Sequence, residues 1–188
     1  MTTEFPFHTI DDAPDAAKPL MQGTQDAIGF VPNLFCALSE APPALEAYMA
    51  ITEIYHKTTL TPAEQQLVLL TASIENDCDF CVAAHSMTSK ATNVSADIVT
   101  ALRDDMPVPD LKLAFFTDFV KAVVNKRGLV DDADIQKFMD AGYTKANVLE
   151  VILGITLKTL SNYTNHIVKT PLNDELLGEK WSKDQSAA

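Results

Sequence analysis

Two cysteines and a histidine within one short stretch carry the residue types needed for thiol chemistry. Cys78, Cys81 and His85 follow the pattern C-x-x-C-x-x-x-H. If a helix begins near Cys78, the two thiols share a face and can close a small disulfide loop, and His85 lies one turn beyond Cys81, within reach of a thiol proton. Cys78 would then sit at the helix N-terminus, where free N–H groups stabilise a thiolate. The pattern predicts a redox-active dithiol.

The charge of the chain works against thiolate formation. The sequence has 14 Lys and Arg against 26 Asp and Glu, a net charge of −12, and Asp77 and Asp79 flank Cys78. Lowering a thiol pKa from about 8.5 to about 7 takes roughly 2 kcal/mol, whereas a surface helix terminus supplies about 0.3–1 kcal/mol. We therefore predict that His85 supplies most of the activation by taking the proton of Cys81, and that Cys78, the more accessible thiol, resolves the oxidised Cys81. The reverse assignment of the two thiols remains open.

Other chemistry for the same residues is less well supported. A zinc site needs a further ligand, and the chain has no second C-x-x-C pair. Attachment of c-type haem requires histidine directly after the second cysteine, where Val82 stands. A buried pair of inert thiols is the remaining alternative, and Cys36 is expected to be a small buried hydrophobe. The sequence predicts neither a metal nor another cofactor.

The elements that must position these residues are helices. Apolar residues recur at helical spacing, for example at Phe116, Phe119, Val120, Val123 and Val124, and alternating strand patterns are hard to find. The predicted helices cover 43–55, 62–75, 78–90, 95–103, a stretch between Pro109 and Gly128 with Lys126 and Arg127 in its last turn, 131–140, and a long helix from Thr144. The fold class is therefore all-α.

Several stretches of the chain resemble one known superfamily. They are 60–85, which includes the cysteines, and the shorter stretches 29–33, 141–144, 162–166 and 170–172. Together they are similar to the carboxymuconolactone decarboxylase superfamily, in its alkylhydroperoxidase D-like, peroxidase-related branch. The resemblance implies a helical domain over 29–174. The polar, proline-containing residues 1–28 predict an arm and one short helix before it, and residues 175–188 are predicted to be a tail that frays after Trp181. The resemblance also implies a homo-oligomer (dimer, trimer or hexamer), reduction of alkyl hydroperoxides by the dithiol, and an external dithiol reductant.

One position departs from the pattern of that branch. The resemblance implies a glutamate twelve positions before the first cysteine, in a proton relay with the histidine, and Gln66 stands there. Glutamine can orient His85 through a hydrogen bond, but it can neither accept a proton nor stabilise an imidazolium by charge. We predict Glu75, near the turn between the two helices, as a possible substitute.

Composition limits the function classes. An acidic surface argues against nucleic acid and anionic membranes as partners, and the absence of a leader-like or spanning apolar run leads us to expect a cytoplasmic protein. The predicted function is a thiol-dependent peroxidase or disulfide oxidoreductase. The alternatives are a lyase of the carboxymuconolactone decarboxylase type and a non-catalytic redox-sensing oligomer.

Overall fold

A computed structural model describes residues 4–183, which form α-helices and a short 3-10 helix without any strand. The all-α prediction is confirmed. The α-helices are α1 (Lys18–Ile28), α2 (Asn33–Leu38), α3 (Pro42–Tyr55), α4 (Pro62–Glu75), α5 (Asp79–Ala91), α6 (Ala96–Arg103), α7 (Leu111–Asn125), α8 (Asp132–Asp140) and α9 (Lys145–Val168), and the 3-10 helix is Asp174–Glu179.

The observed helix ends differ from the predicted ones in a few places. Helix α7 ends at Asn125, so Lys126 and Arg127 follow the helix instead of forming its last turn. The Lys126 ammonium instead pairs with two carboxylates at the start of α8, 2.7 Å from Asp131 and 2.6 Å from Asp134. Helix α2 and the 3-10 helix were not predicted, because six residues are too few for a helical period to stand out.

Helix α4 lies at the centre of the domain. Its start is fixed by a capping box, in which the Thr61 hydroxyl accepts from the Glu64 backbone N–H and the Glu64 carboxylate accepts from the Thr61 backbone N–H. Every residue from Glu64 to Ile74 is buried. Such a helix, apolar on nearly all sides, needs neighbours all round, and α4 packs against α5, α7 and α9.

Helix α9 approaches the core closely at one glycine. A Cβ atom at Gly154 would lie 2.8 Å from Cζ and Oη of Tyr55 and 2.8 Å from Cγ1 of Val68. Both neighbours are fully buried and Tyr55 Oη donates to the Gln65 carbonyl, so they have little room to move. Gly154 therefore lets α9 lie against α3 and α4, which fixes the register of α9 side chains toward α5.

The dithiol belongs to a second apolar cluster, built largely from the N-terminal part of the chain. Met21 of α1, Leu34 of α2 and Leu45 of α3 pack there with Cys78 and Cys81. These N-terminal helices cover the start of α5 and shield the thiols from solvent.

The C-terminal segment packs on α5 as far as Trp181. The 3-10 helix contacts α5, and Leu176 and Trp181 are buried. Trp181 Nε1 donates to the carbonyl of Arg103. The predicted tail begins within this packed stretch, and its residues 184–188 lie outside the described part of the chain. Within residues 4–183, no helix is both long and apolar enough to cross a bilayer.

Candidate active site

A tight turn between α4 and α5 positions the two cysteines. Asp77 has a φ of 56°, in the left-handed region, and the backbone N–H of Cys78 donates to the Ser73 carbonyl at 2.9 Å. His166 Nε2, on α9, donates to the Asp77 carbonyl oxygen at 3.2 Å. Cys78 is therefore held as the N-cap of α5, and Cys81 lies in the first turn of that helix.

Both thiols of the pair are buried and free. Cys78 is 0% exposed and Cys81 is 1% exposed. The expectation that Cys78 is the more accessible thiol is therefore wrong, because the N-terminal helices cover the start of α5. Cys81 contributes to the wall of a cavity, and Cys78 does not.

That cavity has a volume of about 760 Å³ and is mainly apolar. Its apolar wall includes Leu20, Ile28, Leu34, Phe35, Met49 and Phe80. Cys81, His85 and Lys158 form a polar patch in this wall. The reacting groups thus face a space large enough for an organic molecule of moderate size.

Lys158, on α9, connects the cysteine to the histidine. It is 0% exposed, and its Nζ lies 2.8 Å from His85 Nε2. An ammonium can only donate, so His85 Nε2 accepts, and His85 Nδ1 carries the proton that it donates to Gln66 Oε1 at 3.1 Å. Both nitrogens of His85 are engaged, and neither is directed at Cys81. The prediction that His85 itself takes the Cys81 proton is wrong for this arrangement.

The two thiols have opposite tendencies to ionise. Burial opposes the thiolate of Cys81, but a hydrogen bond from Cys78 and the positive charge of Lys158 outweigh it and lower the pKa of Cys81 to about 5. The hydrogen bond to Cys81, burial and the charge of Cys81 all raise the pKa of Cys78 above its ordinary value. Near neutral pH the pair is a Cys81 thiolate accepting a hydrogen bond from a Cys78 thiol.

The charges of the neighbouring bases follow the same logic. Burial first, and then the charge of Lys158, lowers the pKa of His85 well below 6.5, so its imidazole is neutral. Burial opposes the charged form of Lys158, but the thiolate of Cys81 more than compensates and raises the pKa of Lys158. Lys158 and Cys81 therefore form a buried ion pair.

Polar side chains from the second half of α9 hold the sulfurs. Asn165 Nδ2 lies 3.2 Å from Cys81 Sγ and 3.5 Å from Cys78 Sγ, so one amide donates to both cysteines. The hydroxyl of Ser161 lies 3.8 Å from Cys81 Sγ. These donors add to the stabilisation of the Cys81 thiolate.

Of the two side chains predicted to support His85, Gln66 contacts it and Glu75 does not. The Glu75 carboxylate accepts a hydrogen bond from Asn125 Nδ2 on α7 at 2.7 Å. Glu75 ends α4 on the side that faces α7, away from His85, so the suggestion that it replaces the relay glutamate is wrong. The group opposite His85 Nε2 is a cation, Lys158.

The geometry offers no metal centre within residues 4–183. No group of three or more His, Cys, Asp or Glu side chains in this range could hold a metal ion. The two cysteines and His85 lie near one another, but the ring nitrogens of His85 face Gln66 and Lys158 instead of a point shared with the sulfurs.

Sequence reasoning missed Lys158 and Asn165. They lie 73 and 84 positions beyond the residues they contact, His85 and Cys81. One signal was present: Lys158 falls within the apolar period of a long helix, where a charged residue calls for a buried partner. Asn162, Asn165 and His166 predict a satisfied polar cluster on a helix, or residues that face the site across an oligomer interface, but not a contact of Asn165 with the cysteines of its own chain.

Comparisons with known proteins agree with this architecture. Residues 42–109, which span α3 to α6 and both cysteines, match the family model of the carboxymuconolactone decarboxylase family. No curated protein matches the chain.

Three solved structures illustrate the shared fold. An uncharacterized peroxidase-related protein from Ralstonia eutropha JMP134, described as an alkylhydroperoxidase AhpD core, is 22% identical with a TM-score of 0.82 over 92% of this chain and 93% of its own. An uncharacterized peroxidase-related protein from Silicibacter sp. TM1040 is 18% identical, with a TM-score of 0.79 over 95% and 98%.

The third structure is a cysteine-to-alanine variant of the debrominase Bmp8 in complex with 2,3,4-tribromopyrrole. It is 14% identical, with a TM-score of 0.77 over 99% of this chain and 98% of its own. At these identities the likeness is one of fold. Residues 42–109 are thus similar to the carboxymuconolactone decarboxylase family, and the fold resembles that of the structure described as an alkylhydroperoxidase AhpD core.

Proposed function

We propose that this protein is a thiol-dependent peroxidase that reduces organic hydroperoxides. The observation that carries the proposal is the placement of Cys81. Its sulfur lies in the wall of an apolar cavity, is paired with the buried Lys158, and has the Cys78 thiol hydrogen-bonded behind it. This arrangement provides a nucleophile that faces substrate and a resolving thiol that does not.

The proposed reaction has three steps. The Cys81 thiolate attacks the outer oxygen of the hydroperoxide, the O–O bond breaks, and Cys81 becomes a sulfenic acid while an alkoxide leaves and is protonated to the alcohol. The Cys78 thiol then displaces water from the sulfenic acid and forms the disulfide. An external dithiol reduces this disulfide by exchange and regenerates the pair.

The cavity indicates the class of hydroperoxide. Its wall is mainly apolar, so binding gains from removing an apolar body from water. Hydrogen peroxide has no such body and gains nothing from it. We expect cumene hydroperoxide and tert-butyl hydroperoxide to be consumed faster than hydrogen peroxide at equal concentration.

The test is a paired measurement on the reduced protein. Cumene hydroperoxide is added first without and then with a dithiol donor, and peroxide loss, free thiols and the intact mass are followed together. The expected result is one alcohol formed per disulfide and continued turnover with the donor. If peroxide is not consumed while the thiols remain reduced, the proposal is wrong.

Reductive dehalogenation is a second candidate, supported by the same cavity and by the tribromopyrrole complex of the similar debrominase. In that reaction two thiols would become a disulfide while an aryl bromide becomes the arene and HBr. Incubation of the reduced protein with 2,3,4-tribromopyrrole separates the candidates, since only a dehalogenase releases bromide in step with thiol loss.

The lyase and sensor alternatives draw less support from the site. A carboxylated lactone needs a free cation, but the charge of Lys158 is already paired with Cys81. A purely structural switch would not need the thiolate to face a cavity. Size measurement of the reduced and oxidised protein tests the sensor, which requires a change of assembly.

A further inference from the structure

Among residues 4–183, Lys158 has one anionic partner. The groups whose charges act on it are Cys81, Tyr48 and Cys78. Burial raises the pKa of Tyr48, so it is a neutral phenol, and the pKa of Cys78 is also raised, so it is a neutral thiol. The ion pair of Lys158 thus depends on the thiolate of Cys81.

The other groups around Lys158 cannot replace that thiolate. His85 accepts a hydrogen bond from Lys158 but is uncharged. Glu46 and Glu53 line the same cavity from α3, but both are exposed to solvent, where water screens their charge. Oxidation of Cys81 therefore removes the counter-charge of a fully buried ammonium.

We propose that Lys158 is the acid of the reaction: it gives its proton to the leaving alkoxide and stays a neutral amine for as long as Cys78 and Cys81 form a disulfide. The inference rests on the proposed peroxidase function for its substrate, and it concerns a step that this function leaves open, the source of the proton.

The atoms and charges of the cycle balance with this assignment. The reduced site holds the Cys81 thiolate, the Cys78 thiol and the Lys158 ammonium. With one hydroperoxide it yields the disulfide, one alcohol, one water and a neutral amine. The peroxide is reduced by two electrons, and the two sulfurs are oxidised by two. When an external dithiol reduces the disulfide, the Cys81 thiol returns its proton to Lys158 and the ion pair forms again.

Burial explains why the proton leaves. An ammonium without an anion loses its hydration on burial, and buried lysines are known with pKa values as low as about 5–6. In the reduced site the thiolate prevents this loss. In the oxidised site His85 Nε2 still accepts a hydrogen bond from the amine, so the neutral lysine remains in place.

The test counts protons in equilibrium with glutathione and needs no peroxide. The wild-type protein is equilibrated with mixtures of reduced and oxidised glutathione between about pH 6 and pH 8, where glutathione thiols stay protonated. Ultraviolet thiolate absorbance on the same reduced protein establishes that Cys81 is ionised. If Lys158 supplies a proton, enzyme oxidation releases two protons, glutathione takes up two, and the equilibrium constant does not change with pH.

Two results would contradict the inference about Lys158, and each can be recognised in the same experiment. If Cys81 is ionised but Lys158 keeps its proton, the equilibrium constant falls about tenfold for each pH unit, and the inference is overturned. If the thiolate is absent at neutral pH, the ion pair does not exist and the inference also fails. The equilibrium constant could also be independent of pH, with the thiolate present, while no peroxide is consumed. That result supports the deprotonation of Lys158 on oxidation and contradicts only the peroxidase function.

A second measurement tests the acid role through the leaving group. A peroxycarboxylic acid leaves as a carboxylate, which needs no proton, whereas an alkyl hydroperoxide leaves as an alkoxide. Lys158→Met changes the Cys81 nucleophile in the same way for both substrates. The ratio of the rate with the peroxycarboxylic acid to the rate with cumene hydroperoxide therefore measures only the loss of the proton donor. We expect this ratio to rise at least tenfold in Lys158→Met and to stay at the wild-type value in Lys145→Met, an exposed lysine of the same helix. An unchanged ratio in Lys158→Met contradicts the acid role.

Discussion

The Nζ atom of Lys158 lies 2.8 Å from Nε2 of His85, which makes the histidine the acceptor of a lysine proton. A C-x-x-C-x-x-x-H pattern suggests a histidine that deprotonates a thiol, but in the reduced site the thiolate is stabilised by the Lys158 ammonium instead. His85 orients this cation, and Gln66 orients His85. The neutral side chain of Gln66 is enough to orient His85. A carboxylate at this position would compete with the Cys81 thiolate for the positive charge of Lys158.

The acid limb of the alkylation pH profile, in which reactivity is lost as the pH falls, should report the protonation of the Cys81 thiolate. Its pKa of about 5 predicts that alkylation by iodoacetamide falls as the pH drops through about 5, where the thiolate takes up a proton. Lys158→Met removes this positive charge and leaves only hydrogen bonds, chiefly that from Cys78, to oppose burial, so the midpoint should rise by at least about one pH unit. The midpoint is a better readout than the rate near neutral pH, because a more basic thiolate is also more nucleophilic.

Lys145→Met is the control for this titration, since it removes one positive charge from the exposed start of the same helix. Its midpoint should stay near that of the wild type. If Lys158→Met retains an acid limb near 5, the ion pair does not stabilise the thiolate.

The serine variants of the two cysteines should accumulate different products after reaction with peroxide. Cys78→Ser keeps a hydroxyl that can donate to Cys81, so it should consume one peroxide and stop as a sulfenic acid that dimedone traps at Cys81. Cys81→Ser leaves a buried thiol outside the cavity wall and should form no such adduct. Mass spectrometry of the labelled peptides gives the answer. An adduct at Cys78 in Cys81→Ser, formed as fast as that at Cys81 in Cys78→Ser, reverses the assignment.

The all-α fold and most of the helices could be predicted because apolar period, proline starts and capping residues are local signals. The start of α5 at the cysteines came from such signals, and so did the buried character of α4. The role of Gln66 could also be anticipated, since it depends on one side chain reaching a neighbouring helix.

The electrostatics of the site could not be predicted, because they depend on the register of α9 against α5. Gly154 sets how closely α9 approaches the core, and Lys158, one turn further, then reaches His85. Glu75 is a case in which closeness in the sequence is misleading. Its place in the sequence, near the turn, suggested a contact with the site, but the helix directs it to Asn125.

A carboxylate at position 66 should change the balance of charge. Gln66→Glu brings a negative charge to His85 Nδ1, which favours the imidazolium and raises the pKa of His85 from its present low value. The same charge competes for Lys158, so the pKa of Cys81 should rise as well. NMR titration measures the pKa of His85, and the acid limb of the alkylation profile measures the pKa of Cys81. Glu75→Gln should move neither, and an equal shift in both variants contradicts the assignment.

The close contact at Gly154 should make alanine costly there. Gly154→Ala places a methyl group 2.8 Å from buried atoms of Tyr55 and Val68, and overpacking of this kind lowers the free energy of unfolding by about 1–3 kcal/mol. Gly23→Ala is the matched control: it lies within α1, and a Cβ there meets nothing within 4 Å. That change should raise the free energy of unfolding by about 0.5–1 kcal/mol. Urea unfolding measures both, and equal effects contradict the close-approach argument.

Asn165 should tune the thiolate through its donor group. In Asn165→Asp an oxygen replaces the amide nitrogen that lies 3.2 Å from Cys81 Sγ, so the hydrogen bond to the thiolate becomes a repulsive contact, and the new carboxylate also competes for the Cys78 thiol proton at 3.5 Å. Asn165→Leu has a similar shape and only removes the donor. The pKa of Cys81, read from thiolate absorbance, should therefore rise in the order wild type, Leu, Asp. If Leu and Asp shift it equally, loss of packing explains the change, and the amide does not act on the sulfurs by hydrogen bonding.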